Sequence, residues 1–516
     1  MRQFVLLAAV PSAFFVSSAQ AQFLDQIGLT TLRALTTNLN GAGVIVGQAE
    51  ASAPAFEVNP SIVGQPINLF TWIAGNSPYT NPPSQSSTFT NSIGTELPHA
   101  DNVGNDFYGI PNGVATNVAH INNYDADTFA NYYINYDKPI TEHIVNQSFT
   151  FGSVNAGVDQ IYDDYAAQHN VLFLTGAERN GYPVASPATC YNGIGVGVFN
   201  NGGSSYGPTP DGRSKPDITA FGLQDSVTSY STPQVSGAAA LLLQAGLRGD
   251  GGVNIGVATD IRTLKALLLN GAVKPADWTN SPSVPLHYRY GAGVLNVFNS
   301  YEQLAGGKQS SSATNLVASG AAHPPVTPGN FISAGSGWDF SSITSDAVND
   351  AVKHYFFNVS DGMATLTLVW NRQFGQTAIN DLDLFLYDCA TSNLVACSTS
   401  HVDNVEHIFV PKLPAGQYDL QVLKNGGASV VSDTETYALA FAFVPKTLTL
   451  VSVGTSAVLT WPAYPAGFRV EAATNLTAPV WSTNNLPITT LTNSTNTLQL
   501  PLTNALQFFR LRQPNF

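Results

Sequence analysis

The chain has 516 residues, with 34 acidic against 20 basic side chains and a formal charge of −14. At 10% charged and 44% hydrophobic residues it is not a disordered acidic chain, since such chains are poor in apolar side chains and rich in charge. No Lys/Arg cluster is present to neutralise phosphates, which excludes nucleic acid as a partner, and 44 Gly with 31 Pro mark a turn-rich chain of about three domains.

The first residues read as an export signal. Met1-Arg2 is a short positive start, 4–16 is an apolar run interrupted by Pro11, and Ala19-Gln20-Ala21 supplies a small-x-small cleavage pattern. Cleavage after Ala21 is expected, with secretion to an extracellular or periplasmic location. No other stretch reaches about 18 consecutive apolar residues, so no membrane span is expected.

From 22 to 307 strands and helices alternate. Apolar runs at 44–46, 144–145, 171–174 and 194–199 read as strands. Helical spacing appears over 158–168, 233–245 and 259–269, the last with Ile261, Leu264, Leu267 and Leu268 on one face. Alternation of this kind predicts an α/β domain, a parallel sheet covered by helices on both faces. Residues 308–335 are rich in Ser, Ala, Gly and Pro and read as a linker. Short alternating strands then dominate 336–445, and the habit repeats over 446–516, which predicts two all-β sandwich domains.

Three cysteines accompany this plan. Cys389 and Cys397 flank a short connection that a disulfide would close, while Cys190 sits among apolar positions and reads as a buried thiol. Asp381 and Asp383, two apart in a strand, project to one face. Either a solvated face or a structural Ca²⁺ ion accounts for them.

The chemistry concentrates at 227–243. Val227-Thr228-Ser229-Tyr230-Ser231-Thr232-Pro233 runs into a helix of small and apolar residues. A hydroxyl at the start of a buried helix meets unpaired N–H groups and a dipole that favours negative charge. Pro233 is acceptable within a first turn. Capping alone does not require Ser229, since Ser231 or Thr232 could serve.

This string resembles the nucleophile motif of the subtilisin-like serine peptidases, the subtilases, and other segments support the likeness in the same order. Residues 43–50 resemble the family's first catalytic strand, ending in Glu50 where Asp is usual, and Pro98-His99-Ala100-Asp101 stands where the histidine motif belongs. Asn146-Gln147-Ser148 resembles the substrate-binding strand, Lys215-Pro216-Asp217 the segment before the nucleophile, and Tyr290-Gly291-Ala292-Gly293 the closing segment. The resemblance covers about 270 residues, the size of one large α/β domain. It implies a subtilisin-like fold and a triad of Glu50, His99 and Ser229, in the acid–His–Ser chain order of subtilisin. It also implies substrate contacts from Ser148, Phe149 and Gly176 and an oxyanion donor at Asn180, although counting forward from the strand lands near Ala177. Val227 stands where glycine is usual. The 380–388 strand resembles modules appended to secreted bacterial peptidases, and 446–516 a fibronectin type III domain.

The expectation is a secreted serine endopeptidase acting on protein or peptide substrates, with no cofactor required. Oligomeric state leaves no mark in the sequence. One rival is an inactive binding protein of the same fold. A sedolisin-like acid peptidase is the other, disfavoured because no Glu and Asp stand four apart on an expected helix; Glu96 pairs with Ala100 at that spacing.

Overall fold

The computed structural model describes residues 23–75, 81–179, 183–199, 204–222, 227–427, 430–464, 468–477, 479–483, 488–491, 495–501 and 507–512. The expected signal segment 1–21, with its cleavage position Ala21, and the expected oxyanion residue Asn180 lie outside the described residues.

The α/β unit is built on an eight-stranded sheet. Its order is Ile218–Ala220, Ile194–Val198, Leu172–Gly176, Ile144–Gln147, Ile45–Glu50, His120–Asp125, Phe70–Ala74 and Ser84–Ser86. All neighbours pair parallel except Ser84–Ser86, which closes one edge antiparallel. Ile144–Gln147 and Leu172–Gly176 are buried at every position, as a parallel sheet with both faces covered requires. The sequence-predicted helix 158–168 is Ala156–His169, started by Asn155, whose side chain accepts from Gly157 N and Val158 N at 3.0 and 3.2 Å. The helix expected at 259–269 is Ile261–Gly271, capped by Asp260, with the four anticipated apolar residues buried.

The helix that carries Ser229 departs from expectation. It runs Thr228–Leu247, so Pro233 sits inside it and not in its first turn. Proline has no N–H, so the carbonyl four residues earlier, that of Ser229, loses its helical donor. Ser148 Oγ donates to that carbonyl instead, at 3.3 Å. Ser231 and Thr232 do not cap the helix: both hydroxyls donate back to Thr228 O, at 3.1 and 2.7 Å.

Two antiparallel sheets follow, facing each other as a sandwich. One has the order Ser336–Thr344, Thr434–Pro445, Gly362–Trp370, Val405–Leu413; the other has Ala313–Ala318, Asn349–Val359, Gly416–Lys424, Leu382–Asp388, Leu394–Ser398. Leu366, Leu368, Trp370, Leu384, Leu420 and Phe441 fill the space between them. Expected as a linker, 308–335 instead contributes strands: Ala313–Ala318 pairs antiparallel with Asn349–Val359, and Phe331–Ile332 adds to it in parallel. Backbone N–H and C=O groups along that sheet edge find partners in the segment, which its small-residue composition concealed. Beyond 446, strands Thr449–Val453, Ser456–Pro462, Thr489–Leu491 and Thr495–Pro501 form one small sheet, and Arg469–Ala473, Ser482–Thr483 and Phe508–Arg512 another. Leu459, Trp461, Val470 and Leu498 form the core between them.

The first sandwich is joined firmly to the α/β unit. Trp338, Val369, Ala438 and Ala440 belong to the same apolar cluster as the core of the α/β unit. Polar bonds cross the junction as well: Asn270 Oδ1 accepts from Thr367 Oγ1 at 2.8 Å, and Arg372 Nη2 approaches Asp163 Oδ2 at 2.7 Å.

The expected Cys389–Cys397 disulfide is absent, and all three cysteines are free thiols. Cys397 lies opposite Phe385 in the ladder, four residues short of Cys389. At ~3.3 Å per residue the two are about 13 Å apart, beyond the ~7 Å that a disulfide tolerates between Cα atoms. Cys190 is buried, as anticipated. Alkylation in denaturant without reductant is expected to add three groups per chain by mass spectrometry; a single addition would show the bridge.

Asp381 and Asp383 are each engaged separately, Asp381 Oδ2 with His401 Nδ1 at 2.9 Å and Asp383 Oδ2 with Asn425 Nδ2 at 2.9 Å. Ca²⁺ takes six to eight oxygens, and among the described residues no group of three or more acidic, His or Cys side chains gathers to hold a metal. Asp381 Oδ1 and Asp383 Oδ1 are buried with no hydrogen-bond partner among the described residues.

Candidate active site

At the carboxyl ends of the central strands, where open α/β sheets place their clefts, lies a cavity of about 390 Å³. It is lined by His99, Ser148, Phe149, Gly176, Glu178 and Ser229, with Thr150, Arg179, Val227, Thr228 and Tyr230 completing the wall. Three residues expected from the sequence to contact substrate (Ser148, Phe149 and Gly176) therefore share one wall system with Ser229.

Each element brings its residue for a local reason. Glu50 is the last residue of Ile45–Glu50 and is 1% exposed. His99 sits in the first turn of Pro98–Phe107, where Pro98 starts the helix with no loss of a helical donor. His99 Nδ1 and Glu50 Oε2 are 2.9 Å apart. Burial alone pushes the His99 imidazole down, but the hydrogen bond to Glu50 and its charge raise it on balance. With Nδ1 directed at the carboxylate, Nε2 is the nitrogen left for the cleft.

Ser229 is half-buried at the start of Thr228–Leu247. Gly176 permits that helix to approach, because a Cβ there would stand 3.0 Å from Thr228 Oγ1. Among the described residues no side chain caps the helix start, and Ser229 lies in its first turn, where the helix dipole is positive. Behind it, Ser236 Oγ donates to Asn146 Oδ1 at 2.9 Å and Asn146 Nδ2 to Ser148 Oγ at 3.1 Å, so strand, cleft wall and helix form one network. Among the described residues Ser229 Oγ makes no hydrogen bond to His99; in resting sites this bond commonly tightens only when substrate is bound.

The Lys-Pro-Asp segment is structural. Lys215 Nζ donates to Asp217 Oδ2 at 2.6 Å and Lys265 Nζ lies 3.2 Å from Asp217 Oδ1. Burial raises Asp217, but these two cations hold it below the usual carboxylate range. A Cβ at Gly291 would meet Asp217 C at 2.3 Å, so only glycine lets the closing segment pack there. Together they brace Ile218–Ala220 ahead of the serine helix.

Glu178 was not singled out from sequence, yet it carries a carboxylate on the cleft wall. Its Oε2 accepts from Thr150 Oγ1, tying the two segments of the cleft wall together. Its φ of 76° is left-handed, a conformation that few non-glycine residues adopt. A left-handed backbone carries no sequence signature at a glutamate.

Asp101, two residues after His99, is buried with Asn59 N donating to its Oδ1 at 2.7 Å. Burial, reinforced by the Glu96 and Glu50 charges, outweighs that bond and pushes the carboxyl up to about 7. Its folded pKa thus exceeds the unfolded one, so the folded state holds a proton that the unfolded chain releases. Stability falls as pH rises from about 4 to about 7 and stays lowered above. Asp101→Asn, which keeps the acceptor for Asn59, is expected to remove this loss. Its urea midpoint relative to the parent should rise between pH 4 and pH 8; a constant difference would refute the assignment.

A parallel α/β sheet thus brings serine, histidine and carboxylate around one cleft, the side-chain set that serine-peptidase chemistry uses. Residues 114–293 match the model of the subtilase family, Peptidase_S8. The match spans Ser229 but begins after Glu50 and His99. No curated protein matches the chain. Among solved structures, a serine protease of Aeromonas sobria is similar at 14% identity and TM-score 0.34, covering 82% of this chain and 84% of its own. The serine protease MycP1, an essential component of the type VII (ESX-1) secretion system, is similar at 14% identity and TM-score 0.39, covering 57% and 90%. These likenesses are remote. Among the described residues no helix is long and apolar enough to cross a membrane.

Proposed function

We propose that this protein is a secreted serine endopeptidase that hydrolyses peptide bonds through Ser229, His99 and Glu50. The observation that carries the reading is the 2.9 Å contact of His99 Nδ1 with the buried Glu50 carboxylate, beside the cleft that also holds Ser229. Ser229 Oγ attacks the scissile carbonyl while His99 Nε2 takes its proton. Glu50 keeps the proton on Nδ1 and stabilises the imidazolium. The tetrahedral oxyanion is met by N–H groups at the start of the serine helix, with Asn180 as the side-chain donor. His99 returns the proton to the leaving amine, and water repeats the sequence on the acyl-enzyme. No cofactor enters any step.

Ser148, Phe149 and Gly176 hold the substrate backbone and first side chain. The units 336–445 and 446–516 serve as binding or spacing modules, and the 1–21 segment directs export. The test is a fluorophosphonate probe on the parent and on Ser229→Ala, followed by casein hydrolysis across pH. Labelling that depends on Ser229, with turnover at neutral to alkaline pH, supports the reading. Equal or absent labelling would favour a binding protein of the same fold, and an optimum confined to strongly acid pH a sedolisin-like chemistry.

A further inference from the structure

We propose that Gln48, itself held by Tyr108, is a positioning residue that orients the Glu50 carboxylate toward His99 and ties the acid strand to the histidine helix. The inference rests on the triad reading above and deepens it. Gln48 and Glu50 are two apart in Ile45–Glu50, so both side chains leave the sheet on one face, the face covered by Pro98–Phe107. Both are buried, as is Tyr108.

The bonding of the amide is closed and directional. Gln48 Nε2 donates to Glu50 Oε1 at 3.0 Å and to Ala100 O at 2.9 Å, while Tyr108 OH donates to Gln48 Oε1 at 2.5 Å. A flipped amide would turn its carbonyl toward a carboxylate and another carbonyl with no proton between them, so only one orientation satisfies the site. Each oxygen of Glu50 then has one donor: Gln48 on Oε1 and the His99 ring on Oε2. Two donors on two oxygens define the carboxylate plane.

This clamp answers a specific need. Glutamate has one more side-chain torsion than the aspartate usual at this position, and an unrestrained carboxylate would sample rotamers that turn it away from Nδ1. The second amide N–H grips the carbonyl of Ala100, the residue after His99, so a single side chain fixes both the acid and the turn carrying the base. A buried amide retained only to fill space would gain nothing from contacting Glu50, since burying it carries a desolvation penalty that apolar packing would avoid.

The test uses Gln48→Leu, Gln48→Met and Tyr108→Phe in the full chain. In Gln48→Leu, kcat is expected to fall about 10–100-fold with KM within about twofold, because the base is misplaced while the cleft is intact. The His99 imidazole, followed by NMR with labelled histidine, should titrate at lower pH than in the parent, since the Glu50 contact that raises it is loosened. Tyr108→Phe should shift both readouts in the same direction by a smaller amount. Gln48→Met, closer in shape, carries the same test if the leucine variant does not fold. Parental kcat and parental His99 titration in a folded Gln48 variant would overturn the proposal. The titration needs no turnover, so an inactive parent whose His99 still responds to Gln48 would sink the triad reading while leaving the positioning role supported.

Discussion

Replacing His99 by alanine is expected to lower kcat on the order of 10⁶-fold, leaving only the residual rate that binding and oxyanion donors provide. The serine has no other base: His99 is the one imidazole on the described cleft wall, and its Nδ1 is committed to Glu50 at 2.9 Å. Glu50→Gln should cost about 10⁴-fold, because an amide N–H aimed at Nδ1 forces the proton onto Nε2, the nitrogen that must accept it. The pH dependence follows with a definite sign. His99 works as a base only when neutral, and its pKa is raised above the usual 6.5, so kcat/KM climbs with pH through that raised value. Steady-state kinetics on a peptide substrate across pH measures all three. A His99→Ala protein with more than about a hundredth of parental kcat would remove His99 from the mechanism.

Removing Arg372 is expected to destabilise the protein by about 3–5 kcal/mol, the usual consequence of leaving a buried charge without its partner. Arg372 comes from the first sandwich and reaches Asp163 in the helix Ala156–His169, with side chains 6% and 0% exposed. Burial pushes Asp163 up to about 6 even with Arg372 opposing it, so the carboxylate has little margin once the cation is gone. The Arg372 backbone is gripped too: its N–H donates to Asn192 Oδ1 at 2.8 Å and its carbonyl accepts from Asn192 Nδ2 at 3.0 Å. Urea unfolding of Arg372→Ala, with Asp163→Asn/Arg372→Ala beside it, checks the cause. The double variant should recover part of the loss, because no charge is then stranded. A single-variant loss below about 1 kcal/mol would mean that water already reaches the pair.

The alternating apolar runs were readable because periodicity depends on local geometry. Ile261, Leu264, Leu267 and Leu268 fall on one helical face, and 171–174 and 194–199 locate two central strands, Leu172–Gly176 and Ile194–Val198. The string around Ser229 pointed to the nucleophile helix, though its start was misjudged. Proline was read as a first-turn residue, whereas the helix accepts Pro233 inside because Ser148 satisfies the freed carbonyl. The paired cysteines misled for a related reason: closeness in sequence says nothing about ladder register, and the register keeps Cys389 and Cys397 apart.

From composition and local pattern alone came the α/β unit followed by β modules, and the motifs that led to Glu50, His99 and Ser229. Those features need only neighbours along the chain. Tertiary structure alone decided that Tyr108 holds the Gln48 amide beside the Glu50 carboxylate, that Glu178 lines the cleft, and that Arg372 reaches Asp163. The Tyr108–Gln48 and Arg372–Asp163 contacts join residues 60 and 209 positions apart, and a fold brings such residues together through sheet order and helix packing, which leave no periodic trace in the sequence.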